Sequence, residues 1–137
     1  MAKDVFHDVV RHALEKDGWT ITQDPFHIRY GIADVYIDLA ADRTIAAEKE
    51  GQKIAVEIKR FIRGSAISEF HTALGQFLNY RIVLNAEEPD RALYLAVPNN
   101  TYQSFFKFEP ASIAIAQYSV QLLTYDATRE AIVQWIN

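Results

Sequence analysis

Glu57 and Lys59 stand two residues apart in the apolar run Ile54-Ala55-Val56-Glu57-Ile58-Lys59. Successive side chains of an extended strand point to opposite faces, so Glu57 and Lys59 share one face while Ile54, Val56 and Ile58 bury the other. A carboxylate so placed can hold a hard divalent cation, and a neighbouring ammonium can orient a water or a phosphate. The same spacing also describes an edge strand with one wet face. Arg60 and Arg63 follow directly. They form either a local basic cluster suited to phosphates or an ordinary solvated loop.

Other chemistries find less support. The histidines at 7, 12, 27 and 71 show no zinc-helix spacing, so a zinc site is not expected. Ser65 and Ser68 lack a Gly-x-Ser-x-Gly elbow, and there is no glycine-rich phosphate loop. The absence of cysteine excludes a disulfide scaffold, thiolate metal sites and a cysteine nucleophile. Phe105, Phe106 and Phe108 offer a base-stacking platform, but aromatics at this spacing more often serve a core or a partner surface.

The elements that must position these groups follow from periodicity. Phe6, Val9, Val10, Ala13 and Leu14 recur at helical spacing, and Gly18 supplies a stop. From Trp19 to Lys59 the pattern predicts an antiparallel meander. Within it Val35, Ile37 and Leu39 alternate with Asp34, Tyr36 and Asp38, and Lys49-Glu50-Gly51-Gln52 forms a hairpin turn. Ser65 caps a second helix striped by Ile67, Phe70, Leu74, Phe77 and Leu78, with Gly75 allowing close approach. Arg91 to Val97 has little polarity on either face and reads as a strand covered on both sides. Short helices at Thr101 to Phe108 and Ala111 to Gln117 precede a closing hairpin of Val120 to Tyr125 and Ala131 to Ile136.

A chain of 137 residues, half of them apolar, is expected to form one domain, 1–137, with a substantial core. No run suggests a signal segment or membrane span, which predicts a cytoplasmic protein with no membrane association. Its net charge of −4 argues against strong non-specific binding of a polyanion, so any DNA role needs local basic clustering or a partner.

The order of helix, meander ending in an apolar Glu-x-Lys strand, helix and buried strand resembles the restriction-endonuclease-like PD-(D/E)xK superfamily. More specifically, Asp34-Val35-Tyr36-Ile37-Asp38-Leu39, Ile45 to Lys49 through Ala55 to Lys59, Ala66 to Tyr80 and Ala92 to Pro98 look like the XisH family. That family comprises fdxN element excision controlling factor proteins, chiefly cyanobacterial, and the resemblance runs from Met1 to Ile136. It implies a three-layer α/β fold, a mixed central sheet flanked by helices. It also implies a role in DNA rearrangement or its control, the control of excision of a DNA element during heterocyst development, beside a site-specific recombinase and a partner of the XisI family.

The superfamily motif falls here on Glu57, Lys59 and an upstream aspartate. Asp38 is the choice by its place on the polar face, with Asp34 and Asp42 as rivals because 19 positions separate Asp38 from Glu57. In the first helix, where many superfamily nucleases carry a glutamate, this chain has His7 and Asp8, with Glu15 nearer the end. Gln76 matches a glutamine that some members place beside the site, or else it is a polar residue on the outer helix face. Two functions remain. One is a phosphodiesterase in which Asp38 and Glu57 hold Mg²⁺, or Mn²⁺ in its place, while Lys59 orients the attacking water. The other is a non-catalytic scaffold that binds an XisI-like protein or a recombinase. Either way DNA is expected to be engaged within a complex.

Overall fold

A computed structural model describes residues 5–30, 35–37, 44–59, 61 and 66–137. In chain order the elements are α1 (Val5–Lys16), β1 (Thr20–Gln23), β2 (Ile28–Tyr30), β3 (Val35–Ile37), β4 (Thr44–Lys49) and β5 (Gln52–Ile58). They continue with α2 (Ala66–Glu87), β6 (Arg91–Pro98), α3 (Asn99–Thr101), a π-helical turn (Tyr102–Phe106), α4 (Ala111–Gln117), β7 (Leu122–Asp126) and β8 (Ala131–Ile136). Six strands form one sheet in the order β1-β4-β5-β6-β7-β8. The sheet is mixed, with β5, β6 and β7 parallel and the outer pairings antiparallel.

Local chemistry accounts for the joints. Helix α1 ends in paired bonds, Trp19 N–H to the Leu14 carbonyl and Gly18 N–H to the Glu15 carbonyl, both 3.0 Å. This closure needs a left-handed residue, and Gly18 supplies it with φ +93°. Between β4 and β5 the two turn residues, Glu50 and Gly51, have φ of 51° and 83°. Positive φ at both positions gives the twist that suits a two-residue hairpin. Parallel neighbours cannot be joined so tightly, and α2 makes the crossover from β5 to β6 while the π turn and α4 make that from β6 to β7.

Strand alternation divides the core in two. Ile45, Ala47, Ile54, Val56, Ile58, Ala96, Leu123 and Tyr125 pack on one sheet face with Val9, Val10 and Leu14 of α1. The opposite face carries Ala46, Ala55, Leu93, Leu95, Val97 and Leu122 against Phe70, Phe77, Val83 and Leu84 of α2, with Phe106 and Ala111. The result is a three-layer α/β domain, helix, sheet and helices. Arg91, nearly buried where β6 begins, donates to the Ile54 carbonyl at 3.0 Å and to Glu88 Oε1 at 3.0 Å, and lies over the Phe26 ring. Its guanidinium thus ties β5, the residue that follows α2 and the segment before β2 together.

Two expectations require correction. The strands before the hairpin do not form one meander: among the described residues β2 and β3 pair with each other in a separate two-stranded sheet, and β1 rather than β3 lies beside β4. Alternation reports that a strand is half-buried but carries no information about its neighbour. Gly75 is not a point of close approach, since a Cβ there would meet nothing within 4 Å. Among the described residues no helix is long and apolar enough to cross a membrane.

Candidate active site at the end of the central strand

Strand β5 lies between β4 and β6, which sets Glu57 opposite Thr44 on one side and Leu95 on the other. Ile54, Val56 and Ile58 face α1, so Glu57 faces α2, where it is fully buried at 0% exposure. Lys59 follows the last strand residue, yet its N–H still donates to the Ala96 carbonyl at 3.0 Å and continues the parallel ladder. The alternation therefore persists for one more step and returns Lys59 to the face of Glu57.

From α2, Gln76 reaches the same point. Lys59 Nζ donates to Gln76 Oε1 at 2.6 Å and lies 3.7 Å from Glu57 Oε2. Gln76 is half-buried and meets Lys59 at the end of the sheet, so it belongs to the sheet-facing side of the helix and not to its outer face. A buried carboxylate is costly unless compensated. The ammonium supplies opposite charge, and the carboxamide oxygen fixes where that ammonium sits. Three sequence-predicted residues are thus brought together. Asp38 and its rivals Asp34 and Asp42, the basic pair Arg60 and Arg63, and the helix cap Ser65 lie outside the described residues.

Two neighbouring groups escaped the sequence reading. Thr44 is fully buried, and its hydroxyl has no hydrogen-bond partner among the described residues. Counting outward from the Glu50–Gly51 turn would have placed it opposite Glu57. Glu69 precedes Gln76 by two helical turns and so shares its side of α2; its Oε2 is buried, again with no hydrogen-bond partner among the described residues. A seven-residue spacing back from Gln76 was the available signal.

The first helix contributes no carboxylate of this kind among the described residues. His7 Nε2 meets Asp24 Oδ1 at 2.7 Å, and Arg11 donates to Asp24 Oδ2 at 2.5 Å, an anchor between α1 and the turn after β1. Asp8 lies 3.7 Å from the other nitrogen of His7, and Glu15 pairs with Arg11 at 3.8 Å. His12 pairs with Glu130 at 2.6 Å, while His27 and His71 are exposed. No group of three or more His, Cys, Asp or Glu able to hold a metal occurs among the described residues. Of the aromatic trio, Phe106 is buried, Phe105 packs against the core, and Phe108 is exposed. Two of the three therefore serve the fold.

The family model for the XisH protein matches residues 1–133. The chain belongs to the XisH family. It is similar to the crystal structure of an XisH family protein from Nostoc punctiforme, with 55% identity and a TM-score of 0.89 over 98% of this chain and 100% of that one. It is similar as well to the crystal structure of a fdxN element excision controlling factor protein from Anabaena variabilis, with 54% identity, a TM-score of 0.89 and the same coverage. No curated protein matches the chain. At these identities the mixed sheet and its flanking helices are features of the family and not of this sequence alone.

Proposed function

We propose that this chain acts in the control of excision of a DNA element, as the Anabaena variabilis relative is described, and that it does so through a restriction-endonuclease-like, Mg²⁺-dependent site at the end of β5. The observation that carries the reading is the junction of Glu57, Lys59 and Gln76, a carboxylate, an ammonium and a carboxamide drawn from a central strand and the crossover helix. The donor set fits a hard cation. Glu57 offers carboxylate oxygen, and the cluster contains neither imidazole nor thiolate, so Mg²⁺ or Mn²⁺ suits it and zinc does not. Asp38 is the second carboxylate of the proposal.

When bound, the metal would polarise the scissile phosphate and acidify a water. The protein's own part is positioning. Lys59, held by Gln76, would orient the attacking water or meet a phosphate oxygen. Glu57, 3.7 Å from that ammonium, helps to hold it in place. Arg60 and Arg63 follow in sequence and would add attraction for about two phosphates, a small contribution to affinity. With a net charge of −4, the chain is proposed to engage DNA within a complex, together with an XisI-like protein and a site-specific recombinase. We place it in the cytoplasm of a cyanobacterium, acting during heterocyst development.

Incubation of plasmid and linear duplex with Mg²⁺, with and without an XisI-like partner, tests the reading. Cleavage that requires metal and disappears in Glu57→Gln and Lys59→Ala is expected. A second reading, a non-catalytic scaffold, is favoured by the complete burial of Glu57. Partner binding and excision control that survive both substitutions, without cleavage by any combination, would establish the scaffold instead.

A further inference from the structure

Where the parallel strands β6 and β7 end, the surface forms an open cavity of about 780 Å³ that the catalytic proposal does not use. Carboxyl ends of parallel strands are where open α/β sheets commonly receive ligands. Phe6 and Phe61 line this cavity, and Asn99, Gln103, Asp126 and Thr128 give it polar groups. It adjoins the candidate active site, because Phe61 lies two residues beyond Lys59, and the Tyr125 hydroxyl on the cavity wall is 3.5 Å from the Lys59 carbonyl oxygen.

Two features of the lining point to a ligand. The Asn99 Oδ1 atom is buried yet has no hydrogen-bond partner among the described residues, a state that costs free energy unless something supplies the bond. Phe61 holds a φ of +56°, a left-handed backbone that bulky residues adopt at a cost of roughly 1–3 kcal/mol. Phe61 lines the cavity, and its ring meets that of Phe106 edge-on at 5.2 Å. Asp126 Oδ1 is already committed to the N–H groups of Thr128 and Arg129. An aromatic wall with carboxamides beside it suits a flat, neutral group rich in donors and acceptors.

We propose that this cavity receives a single unpaired nucleobase of the DNA, stacked on Phe61 and hydrogen-bonded along its edge by Asn99 and Gln103. The proposal deepens the nuclease reading, on which its DNA substrate rests. A displaced base held here would fix the register of the strand relative to Lys59 and would select single-stranded or distorted DNA over regular duplex.

The test uses a single-stranded oligonucleotide carrying 2-aminopurine and a matched oligonucleotide with an abasic residue at the same place, at low salt with the whole chain. Saturable quenching of the probe is expected in the wild type, with affinity for the abasic strand lower by about 10-fold. Phe61→Gly, which relieves the backbone, and Asn99→Ala should each weaken quenching by a similar factor, and Gln103→Ala, at an exposed position, provides a variant whose folding is not at risk. Equal affinity for the abasic strand, quenching unchanged in all three cavity variants, or no binding overturns the proposal. Failure of the nuclease reading is seen separately, as quenching that persists while duplex and plasmid stay uncut with Mg²⁺.

Discussion

Replacing Lys59 by methionine withdraws an ammonium from beside a carboxylate with no exposure of its own. At the observed separation of 3.7 Å, an effective dielectric near 20 gives about 4.5 kcal/mol of attraction. The lysine side chain is 21% exposed, so solvent screens part of this, and its loss also removes the cost of having partly desolvated it. About half, roughly 2 kcal/mol, is the expected net loss for Lys59→Met. With about 2.1 cal/mol/K of unfolding entropy per residue, 137 residues translate that loss into a fall in Tm of about 7 °C. A double-mutant cycle isolates the pair: Lys59→Met is measured by urea and thermal unfolding in the wild type and in Glu57→Gln. In the Glu57→Gln background the same substitution should cost under about 0.5 kcal/mol, since a neutral amide no longer needs the cation. An equal loss in both backgrounds, or none in either, would refute the claim that Lys59 compensates Glu57.

Arg91→Ala removes a nearly buried guanidinium bonded to the Ile54 carbonyl and Glu88 and should cost about 2–4 kcal/mol, read as a lower urea midpoint at unchanged slope. The two helical-region glycines should respond with opposite signs. Gly75→Ala, where a new Cβ meets nothing within 4 Å, should stabilise by about 0.5–1 kcal/mol, whereas Gly18→Ala, at φ +93° with Lys49 Cε 3.1 Å from the new Cβ, should destabilise by about 1 kcal/mol in the same assay. Burial raises the Tyr94 phenol above its ordinary 10.0, so the folded state holds this proton more tightly than the unfolded chain does. The resulting contribution is fully present below pH 10.0 and is lost as pH climbs through the higher folded-state value, and Tyr94→Phe should flatten the alkaline fall in Tm relative to wild type.

Much of the site was legible before any coordinates. The apolar and polar alternation from Ile54 to Lys59 dictated that Glu57 and Lys59 share a face, because the side-chain period of a strand is two whatever surrounds it. The Glu50–Gly51 turn determined the pairing of β4 with β5, and through it the place of Thr44 opposite Glu57. Gly18 determined where α1 ends. These are local outcomes, governed by the backbone angles and spacing of a few consecutive residues.

Tertiary structure decided what links distant segments. Gln76 reads equally well as inner or outer from the sequence, and only the packing of α2 on the sheet brings its carboxamide to Lys59, 17 residues away. The pairing of β1 with β4, and of β2 with β3 in their own sheet, likewise had no local signature, since half-buried strands look alike and the neighbour is chosen by which faces the rest of the chain can cover. The cavity beside Phe61 belongs to the same class: it joins α1, the end of β6, the turn after β7 and Phe61, two residues beyond Lys59. No short-range pattern encodes such a meeting, because it forms only when two parallel crossovers carry separate strand ends to the same edge of the sheet.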